Sequence, residues 1–357
     1  MTNPADPASP LALTFILPTR NRRQVVGRAI ESCLQAHQPP DIRVEVLVVD
    51  GNSTDGSFEQ LQQQYGGDAR VRLVRQEGPK GFMPACFFAV PLVRTPLATF
   101  MYDDDVLSPF WADMPREMRR RGDDFIMGFS GEADISQVFP FQRVTRLRVV
   151  SSSFLLRAYF GFGRQLSSFV LPFSPICCLT RTDRLKDWLN EVQQFTHGRP
   201  MREYFMMQRA AGPDLLIYLH SIANHPDELT LFDGPVAQFS THSASLTSEL
   251  EGTDLTLGYW LAHVWLCDWL RALGRNRDAG SCSAYAVRQG FRLFLKRLRR
   301  GRRAWLGSLF GEVMGLLART LASGAAGAFL KSLFILFLPR GWRPQFGLST
   351  RIESLLH

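Results

Sequence analysis

The stretch Leu97-Ala98-Thr99-Phe100-Met101-Tyr102-Asp103-Asp104-Asp105 is an apolar run of strand length that ends in three adjacent carboxylates. Continuous apolar runs of this length are typical of strands buried in a parallel sheet. An isolated acidic triplet is often only a solvated loop or a helix cap. In open α/β sheets, however, ligands bind outside the carboxyl ends of strands. Hard divalent cations bind carboxylate oxygens and leave positions for phosphate oxygens, so this stretch predicts a metal and phosphate site.

Strands and helices alternate on both sides of this stretch, which indicates βαβ units and a mostly parallel, Rossmann-like α/β sheet. Right-handed crossovers place the ends of such strands, with the polar residues that follow them, on one edge of the sheet. Three polar clusters are expected there, at residues 18–23, 50–55 and 103–105. The predicted strands are 13–17, 44–49, 71–74, 97–101 and 125–127, and the predicted helices are 24–36, 57–65, 84–93 and 109–121.

Three blocks of residues resemble family 2 glycosyltransferases of the GT-A fold, of the bacterial cell-surface polysaccharide type. They are Phe-Ile-Leu-Pro-Thr-Arg-Asn-Arg at 15–22, Val-Val-Asp-Gly-Asn-Ser-Thr-Asp-Gly at 48–56, and the Asp-x-Asp at 103–105. The resemblance covers residues 10–130 and implies an inverting, metal-dependent glycosyltransferase. Such an enzyme moves a sugar from a nucleotide-sugar donor to a hydroxyl of a glycan or polyprenyl-linked acceptor. We expect a catalytic domain at 1–250 and a helical, membrane-associating region at 251–357.

The resemblance also implies roles for individual residues. Asp50 would hold the nucleotide base, and Asp103 and Asp105 would bind Mg²⁺ or Mn²⁺ on the diphosphate. Asp214 opens a helix where the family places its catalytic base, although an Asp there is also an ordinary helix cap. His242 is either a further metal ligand or phosphate contact, or a structural histidine. The predicted nucleotide-sugar site comprises Pro18, Thr19, Arg20, Asn21, Asp50, Asn52, Ser53, Lys80, Gly81, Asp103 and Asp104.

Two other functions are compatible with parts of this pattern. A sugar-phosphate nucleotidyltransferase is also α/β and metal-dependent, but its glycine-rich loop after the first strand is missing here. A non-catalytic, nucleotide-sugar-binding membrane scaffold would have lost the acids or the base, and this chain has both. The P-loop and dinucleotide-binding fingerprints do not occur in the sequence.

The positive charge of the chain lies at its C-terminal end. Residues 271–357 contain 16 Lys and Arg against 3 Asp and Glu, whereas the whole chain has a net charge of +8. Six cations fall within 296–303, and a largely apolar segment follows at 305–338. Ser308, Glu312, Gly315, Arg319 and Ser323 share one stripe at helical spacing, which predicts an amphipathic helix. We expect this region to lie on an anionic membrane surface and not to bind nucleic acid.

Residues 321–338 are marginal for a membrane span. Trp260, Trp265 and Trp269 on the preceding helix could pack in the core or form an interfacial belt. The six cysteines show no CxxC pair or zinc spacing, which indicates reduced thiols. The first ten residues lack the features of a signal peptide. We therefore expect a cytoplasmic protein, peripheral on the inner face of the plasma membrane.

Overall fold

The computed structural model describes residues 9–157, 175–196, 201, 204, 212–225, 228–243 and 252–337. Their strands form a single mixed sheet, in the order β3-β2-β1-β4-β8-β6-β9-β5, with β7 paired to β9. These strands are β1 (Leu11–Thr19), β2 (Ile42–Asp50), β3 (Val71–Arg75), β4 (Leu97–Phe100), β5 (Val106–Leu107), β6 (Phe125–Asp134), β7 (Leu147–Ser151), β8 (Cys178–Arg181) and β9 (Glu228–Thr241).

Helices cover both faces of this sheet, and the predicted mixed α/β class is confirmed. The first four lie close to their predicted bounds because each begins after turn residues and carries an apolar face. The described helices are α1 (Val26–Gln35), α2 (Ser57–Tyr65), α3 (Phe82–Ala89), α4 (Asp113–Arg121), α5 (Ser152–Arg157), α6 (Thr182–Thr196), α7 (Pro213–Asn224), α8 (Gly252–Ala272), α9 (Asn276–Arg299), α10 (Leu306–Ala322) and α11 (Ala326–Phe337).

The N-terminal half of the sheet is parallel, as predicted, but most pairings in the other half are antiparallel, so the sheet as a whole is not mostly parallel. β1 pairs in parallel with β2 on one side and with β4 on the other, and β2 pairs in parallel with β3. Successive side chains of β1 face opposite sides of the sheet. Phe15 and Leu17 enter the core beneath α1, whereas Ile16 enters a second core beneath the C-terminal helices. The strands of this half therefore end on one common edge.

The C-terminal helices share that second core with the sheet. Trp260 and Trp265 of α8 are buried in the same cluster as Ile16 and Phe100. Trp260 also donates a hydrogen bond from its indole Nε1 to the carbonyl oxygen of Ala286 on α9, at 2.6 Å. Of the two alternatives for these tryptophans, core packing is the one observed. The predicted boundary between 250 and 251 lies outside the described residues and stays a prediction.

The outer sides of α10 and α11 are apolar. Glu312, expected on a polar stripe, is buried, whereas Phe310 and Met314 of the same helix are about two-fifths exposed. The stripe is amphipathic as predicted, but part of its polar side faces the protein. Among the described helices, none is both long and apolar enough to cross a membrane. We call the exposed set of large apolar residues on these two helices the outer apolar face: Phe310, Met314, Leu321, Leu330, Phe334 and Phe337.

Candidate active site

The candidate site lies where three parallel strands end side by side. Thr19 at the end of β1 is paired with Asp50 at the end of β2, and the Gly51 amide donates to the Thr19 carbonyl oxygen at 2.8 Å. On the other side of β1, the Met101 amide donates to the Ile16 carbonyl oxygen at 2.8 Å. The sheet register therefore brings the three predicted polar clusters together on one edge.

Asp50 is fully buried at this edge and keeps one carboxylate oxygen free. Its Oδ2 accepts a hydrogen bond from the Ser53 amide at 3.0 Å and lies 3.7 Å from the Arg75 Nε atom. Its Oδ1 is buried and accepts no hydrogen bond from the described residues. A buried carboxylate oxygen without a donor is costly unless a bound group supplies one. The arrangement suits a ligand that presents an N–H group to Asp50.

The loops after β1 and β2 are joined by their own polar groups. The Asn21 amide donates to the Ser53 hydroxyl, and the Thr54 amide donates to the Asn21 side-chain oxygen, both at 2.8 Å. Asn21 and Asn52 both have positive φ angles, which Asn tolerates better than most residues. Of the predicted binding residues, Asn21 and Ser53 thus build the rim of the candidate site.

Arg20 brings a partly buried guanidinium group to the same rim. Its Nε and Nη1 atoms are buried and donate no hydrogen bond to the described residues. The stem of Arg20 packs against Gly51, where an added Cβ would lie 3.4 Å from its Cβ and Cδ atoms. Unused guanidinium donors at such an edge are suited to an anion. Pro18 and the buried Thr19 place this arginine at the end of β1.

The loop after β3 completes this part of the edge. Lys80 is exposed on it, and Gly81 precedes α3 with a φ of 136°, which only glycine adopts easily. Gln76, which the sequence analysis missed, is buried. Its amide N–H donates to the Asp50 carbonyl oxygen at 2.8 Å, and its side-chain Nε2 donates to Pro79 at 2.6 Å. The pairing of β2 with β3 beside Asp50 is what brings Gln76 here.

Asp103 is the member of the acidic turn nearest the β1 loop. Its Oδ1 lies 3.6 Å from the Arg22 Nε atom. Burial raises the pKa of Asp103 to about 7, the charge of Asp104 adds to this rise, and Arg22 opposes it. The carboxyl group therefore resists ionisation unless a further cation approaches.

Asp104 and His242 form a pair across the site. The His242 Nε2 atom lies 2.9 Å from Asp104 Oδ2, and both side chains are largely buried. From the sequence, His242 is a metal ligand, a phosphate contact or a structural histidine, and Asp104 belongs to the nucleotide-sugar site. The structure brings both to the site and joins them through this contact.

Asp105 points inward, toward β9. Its Oδ1 accepts a hydrogen bond from the Ser240 amide at 2.8 Å, while its Oδ2 is buried and without a donor among the described residues. Burial, followed by the charge of Asp104, raises the pKa of Asp105 well above its usual range. This residue therefore ties the acidic turn to β9 and keeps one oxygen unused.

The acids suit a divalent cation, although they do not form a complete cage. Among the described residues, no group of three or more His, Cys, Asp or Glu side chains is arranged to hold a metal ion. The reason is that Asp103, Asp104 and Asp105 turn toward three different partners. Mg²⁺ is commonly bound by one or two carboxylates together with substrate phosphates. The raised pKa values and the unused Asp105 oxygen fit such a shared site.

Asp214 lies beside the acidic turn, although it is 109 residues from Asp105 in the chain. It opens α7 after Gly212, whose φ is 100°. Burial raises the pKa of Asp214 to about 6, and the amides of Leu215 and Asp214 and the Tyr102 hydroxyl group oppose this rise. Tyr102 directly precedes Asp103, so the two candidate centres adjoin. A carboxylate with this pKa can accept a proton near neutral pH.

Arg28 and Ser240 also contact the acidic turn, and the sequence analysis missed both. Arg28 lies two residues after the buried Val26 on α1, and the sequence pattern of this helix indicates only an ordinary surface position. Its Nη2 atom donates to the Asp104 carbonyl oxygen at 3.3 Å. Arg28 is 76 positions from Asp104 and 212 positions from Ser240, to whose hydroxyl oxygen it also donates, so no local pattern could have indicated these contacts.

Comparison with known proteins identifies a family for the N-terminal part of the chain. Residues 14–188 match the family described as glycosyl transferase family 2. The crystal structure of S. aureus TarS 1-349 in complex with UDP-GlcNAc resembles the chain with a TM-score of 0.51 at 15% identity, over 96% of this chain and 83% of that chain. The same protein in complex with UDP gives a TM-score of 0.46 at 14% identity, over 96% and 82% of the two chains. No curated protein sequence matches the chain significantly. The likeness to TarS shows a shared GT-A-like fold, and the family match identifies residues 14–188 as a glycosyl transferase family 2 domain.

Proposed function

We propose that the chain transfers a sugar, with inversion, from a nucleotide-sugar donor to a hydroxyl group of a glycan acceptor. The observation that carries this proposal is the meeting of Asp50, the acidic turn and Asp214 along one sheet edge. A pocket for a base, a site for a diphosphate and a proton acceptor then follow one another in the order that the reaction needs.

For the donor, we propose a UDP-sugar as the first candidate. S. aureus TarS, which shares the fold, was crystallised with UDP-GlcNAc. The unused Asp50 Oδ1 would accept an N–H of the base, and the unused Arg20 donors would contact phosphate. Asn52, Lys80 and Gly81 lie on the loops that surround these two groups.

Asp103, Asp105 and His242 are the proposed ligands of Mg²⁺ or Mn²⁺. When bound, the metal would neutralise charge on the departing nucleoside diphosphate. Asp105 would contribute its unused Oδ2, and His242 would remain oriented by Asp104. Arg22, close to Asp103, would add positive charge on the same side of the donor.

Asp214 is the proposed general base. Its carboxylate would take the proton of the acceptor hydroxyl as that oxygen attacks the anomeric carbon. The bond from this carbon to the phosphate oxygen breaks at the same time, and the nucleoside diphosphate leaves with the bonding electrons. Attack from the opposite side gives inversion at the anomeric carbon. Burial keeps the pKa of Asp214 near the range in which such a base works.

A panel of sugar nucleotides tests the activity directly. The protein is incubated with each donor and Mn²⁺, with and without a glycan acceptor, and release of nucleoside diphosphate is measured. We expect one nucleotide to support release, with a higher rate when an acceptor is present. Absence of release with every donor, while the protein remains folded, would contradict the proposal.

We also propose that the enzyme works at an anionic membrane surface, on a lipid-linked acceptor at the inner face of the plasma membrane. The outer apolar face exposes large apolar side chains of α10 and α11. Lys296 and Arg299 lie in the last turn of α9, Arg300 and Arg303 lie between α9 and α10, and all four are exposed. Exposed apolar side chains beside a cluster of cations match the chemistry of an anionic bilayer.

A further inference from the structure

Arg28 holds together three segments that meet behind the acidic turn. From α1, its Nη1 atom donates to the carbonyl oxygen of Ile135, just after β6. Its Nη2 atom donates to the Asp104 carbonyl oxygen at 3.3 Å and to the Ser240 hydroxyl oxygen at 3.0 Å. One planar guanidinium thus joins α1, the acidic turn, the end of β6 and the end of β9.

Ser240 extends this connection to the acidic side chains. Its amide donates to Asp105 Oδ1 at 2.8 Å, so the residue that receives Arg28 also orients Asp105. Gln238 donates from its Nε2 to the same Ser240 hydroxyl at 3.1 Å. Two residues beyond Ser240 the chain reaches His242, which pairs with Asp104. Arg28 therefore acts on both ends of the Asp104–His242 contact through the backbone.

Arg28 keeps its positive charge beside the acidic turn without forming an ion pair to a described residue. Among the described residues, Arg28 makes no ion pair within 4.0 Å, although its guanidinium is half-buried. It faces carbonyl and hydroxyl oxygens instead, and its charge lowers the pKa of Asp105 against the larger effects of burial and Asp104. Because no carboxylate in the described part of the chain engages its guanidinium group, Arg28 can donate to the backbone of the acidic turn.

We infer that Arg28 is a positioning residue of the glycosyl-transfer site, which holds the acidic turn and the His242 segment in register for a metal-bound nucleoside diphosphate. This assignment rests on the proposed nucleotide-sugar site at the acidic turn. The physical reason is that three adjacent carboxylates repel one another on a turn of only a few residues. The guanidinium group of Arg28 donates a hydrogen bond to the backbone of the turn and so opposes that repulsion. Small displacements of catalytic and binding groups cost much of the activity.

The test measures binding of UDP to the full chain with and without Mn²⁺ by calorimetry. Arg28→Gln removes the charge and most of the donors, Arg28→Lys keeps the charge, and Ser240→Ala removes one acceptor. Arg72→Gln is the control, because Arg72 is also a half-buried arginine that donates to a backbone carbonyl, that of Leu92 at 2.6 Å, and it lies away from the acidic turn in an ion pair with Glu45. Thermal melting of each variant reports the purely structural part of the change.

We expect Arg28→Gln to weaken Mn²⁺-dependent UDP binding roughly tenfold, the scale of a lost hydrogen bond to a charged group. Arg28→Lys should lose less, and Arg72→Gln should bind as the wild type does. Since Arg28 acts partly through Ser240, the double variant Arg28→Gln/Ser240→Ala should bind little worse than Arg28→Gln alone.

Equal UDP binding by Arg28→Gln and Arg72→Gln, with similar losses of melting temperature, would overturn the inference and leave Arg28 a structural residue. A wild-type protein that binds neither UDP nor other nucleoside diphosphates would instead overturn the proposed function, and the role of Arg28 with it.

Discussion

Asp103, Asp104 and Asp105 show how three identical neighbours acquire different roles. Asp103 faces Arg22, Asp104 faces His242, and Asp105 accepts from the Ser240 amide. The sequence indicated that the acids were a site, because they end a buried strand. The sequence could not show which acid takes which role, since each role depends on a partner that lies far away in the chain.

Asn substitutions should separate these roles. Asp105→Asn keeps an oxygen for the Ser240 amide but loses the charge, so the fold should persist while transfer is abolished. Asp103→Asn should do the same, since it keeps the size of the side chain but removes a carboxylate that the proposed metal needs. The measurement is nucleoside diphosphate release with Mn²⁺, with melting temperature as the control. Wild-type turnover that is undiminished in excess EDTA would show that no metal is needed.

The pKa of Asp214 leads to a pH prediction. Because this pKa is raised to about 6, the base becomes protonated as the pH falls through that value, and kcat/KM should fall with it. Asp214→Asn should lower turnover roughly a hundredfold or more and remove this limb of the profile. A variant with wild-type turnover would assign the base to another residue.

The same pKa predicts the stability of this variant. A carboxyl group whose pKa is higher in the folded than in the unfolded protein binds more protons when folded. Above pH 6 the ionised Asp214 carboxylate therefore lowers the free energy of unfolding. This loss disappears as the pH falls toward the pKa of an unperturbed Asp. Asp214→Asn should consequently be no less stable than the wild type at pH 7.5, as measured by thermal melting.

At the scale of elements, α7 is the helix that connects the candidate base to the C-terminal helices. Gly212 precedes it with a φ of 100°, and an added Cβ there would lie 2.4 Å from the backbone of Gly258 on α8. At the other end, Arg275 donates to the carbonyl oxygens of Ala223 at 2.8 Å and His225 at 3.0 Å. The position of Asp214 thus depends on contacts at both ends of the helix.

Gly212→Ala should disturb this connection. The new methyl group must displace backbone, so we expect a loss of stability of about 1–3 kcal/mol, the scale of an overpacked site. Turnover should fall further than stability alone explains, because Asp214 lies two residues away. Gly311→Ala is the control, since Gly311 lies in α10 with no atom within 4 Å of the added Cβ. Equal turnover in both variants would mean that α7 tolerates the shift.

The hydrophobic periodicity of the sequence predicted the strands and helices better than it predicted how they pair and pack. From β1 to α4, every strand and helix except the two-residue β5 was foreseen, because buried strands and amphipathic helices leave local patterns. β9, with its 14 residues and three partner strands, was not, because a strand interrupted by Gly234-Pro235 does not alternate simply. Likewise, the stripe on α10 was recognised, but periodicity cannot say which side meets the core.

At the scale of the whole molecule, the sheet and the C-terminal helices are joined by one buried core. Leu309, Val313 and Phe329 belong to the same cluster as Ile16 and Phe100. Removing α10 and α11 would therefore expose apolar surface that the catalytic sheet relies on. Membrane binding is better tested by surface substitutions than by truncation. Arg297 should be left intact, because it is buried and donates to the Ala304 carbonyl oxygen at 3.0 Å.

Vesicle flotation at low and high salt separates the two proposed contributions to membrane binding. Each surface cation contributes ~1 kcal/mol near an anionic bilayer, and salt at 0.1 M screens this beyond a Debye length of ~10 Å. Replacing Lys296, Arg299, Arg300 and Arg303 by Gln should therefore remove most of the salt dependence. Replacing Leu330, Phe334 and Phe337 by Ser should remove the binding that persists at high salt, since apolar burial at ~25 cal/mol per Å² is not screened.

The matched control for charge removes four exposed arginines elsewhere, Arg43, Arg94, Arg120 and Arg121, and should float as the wild type does. The two charge variants should melt close to the wild type, because every cation that they remove is exposed. If the control loses flotation as much as the variant at residues 296–303, net charge alone attracts the protein to the bilayer. If the wild type never floats, the outer apolar face binds a protein surface, and a second copy of the chain becomes the first partner to test by its effect on oligomeric state.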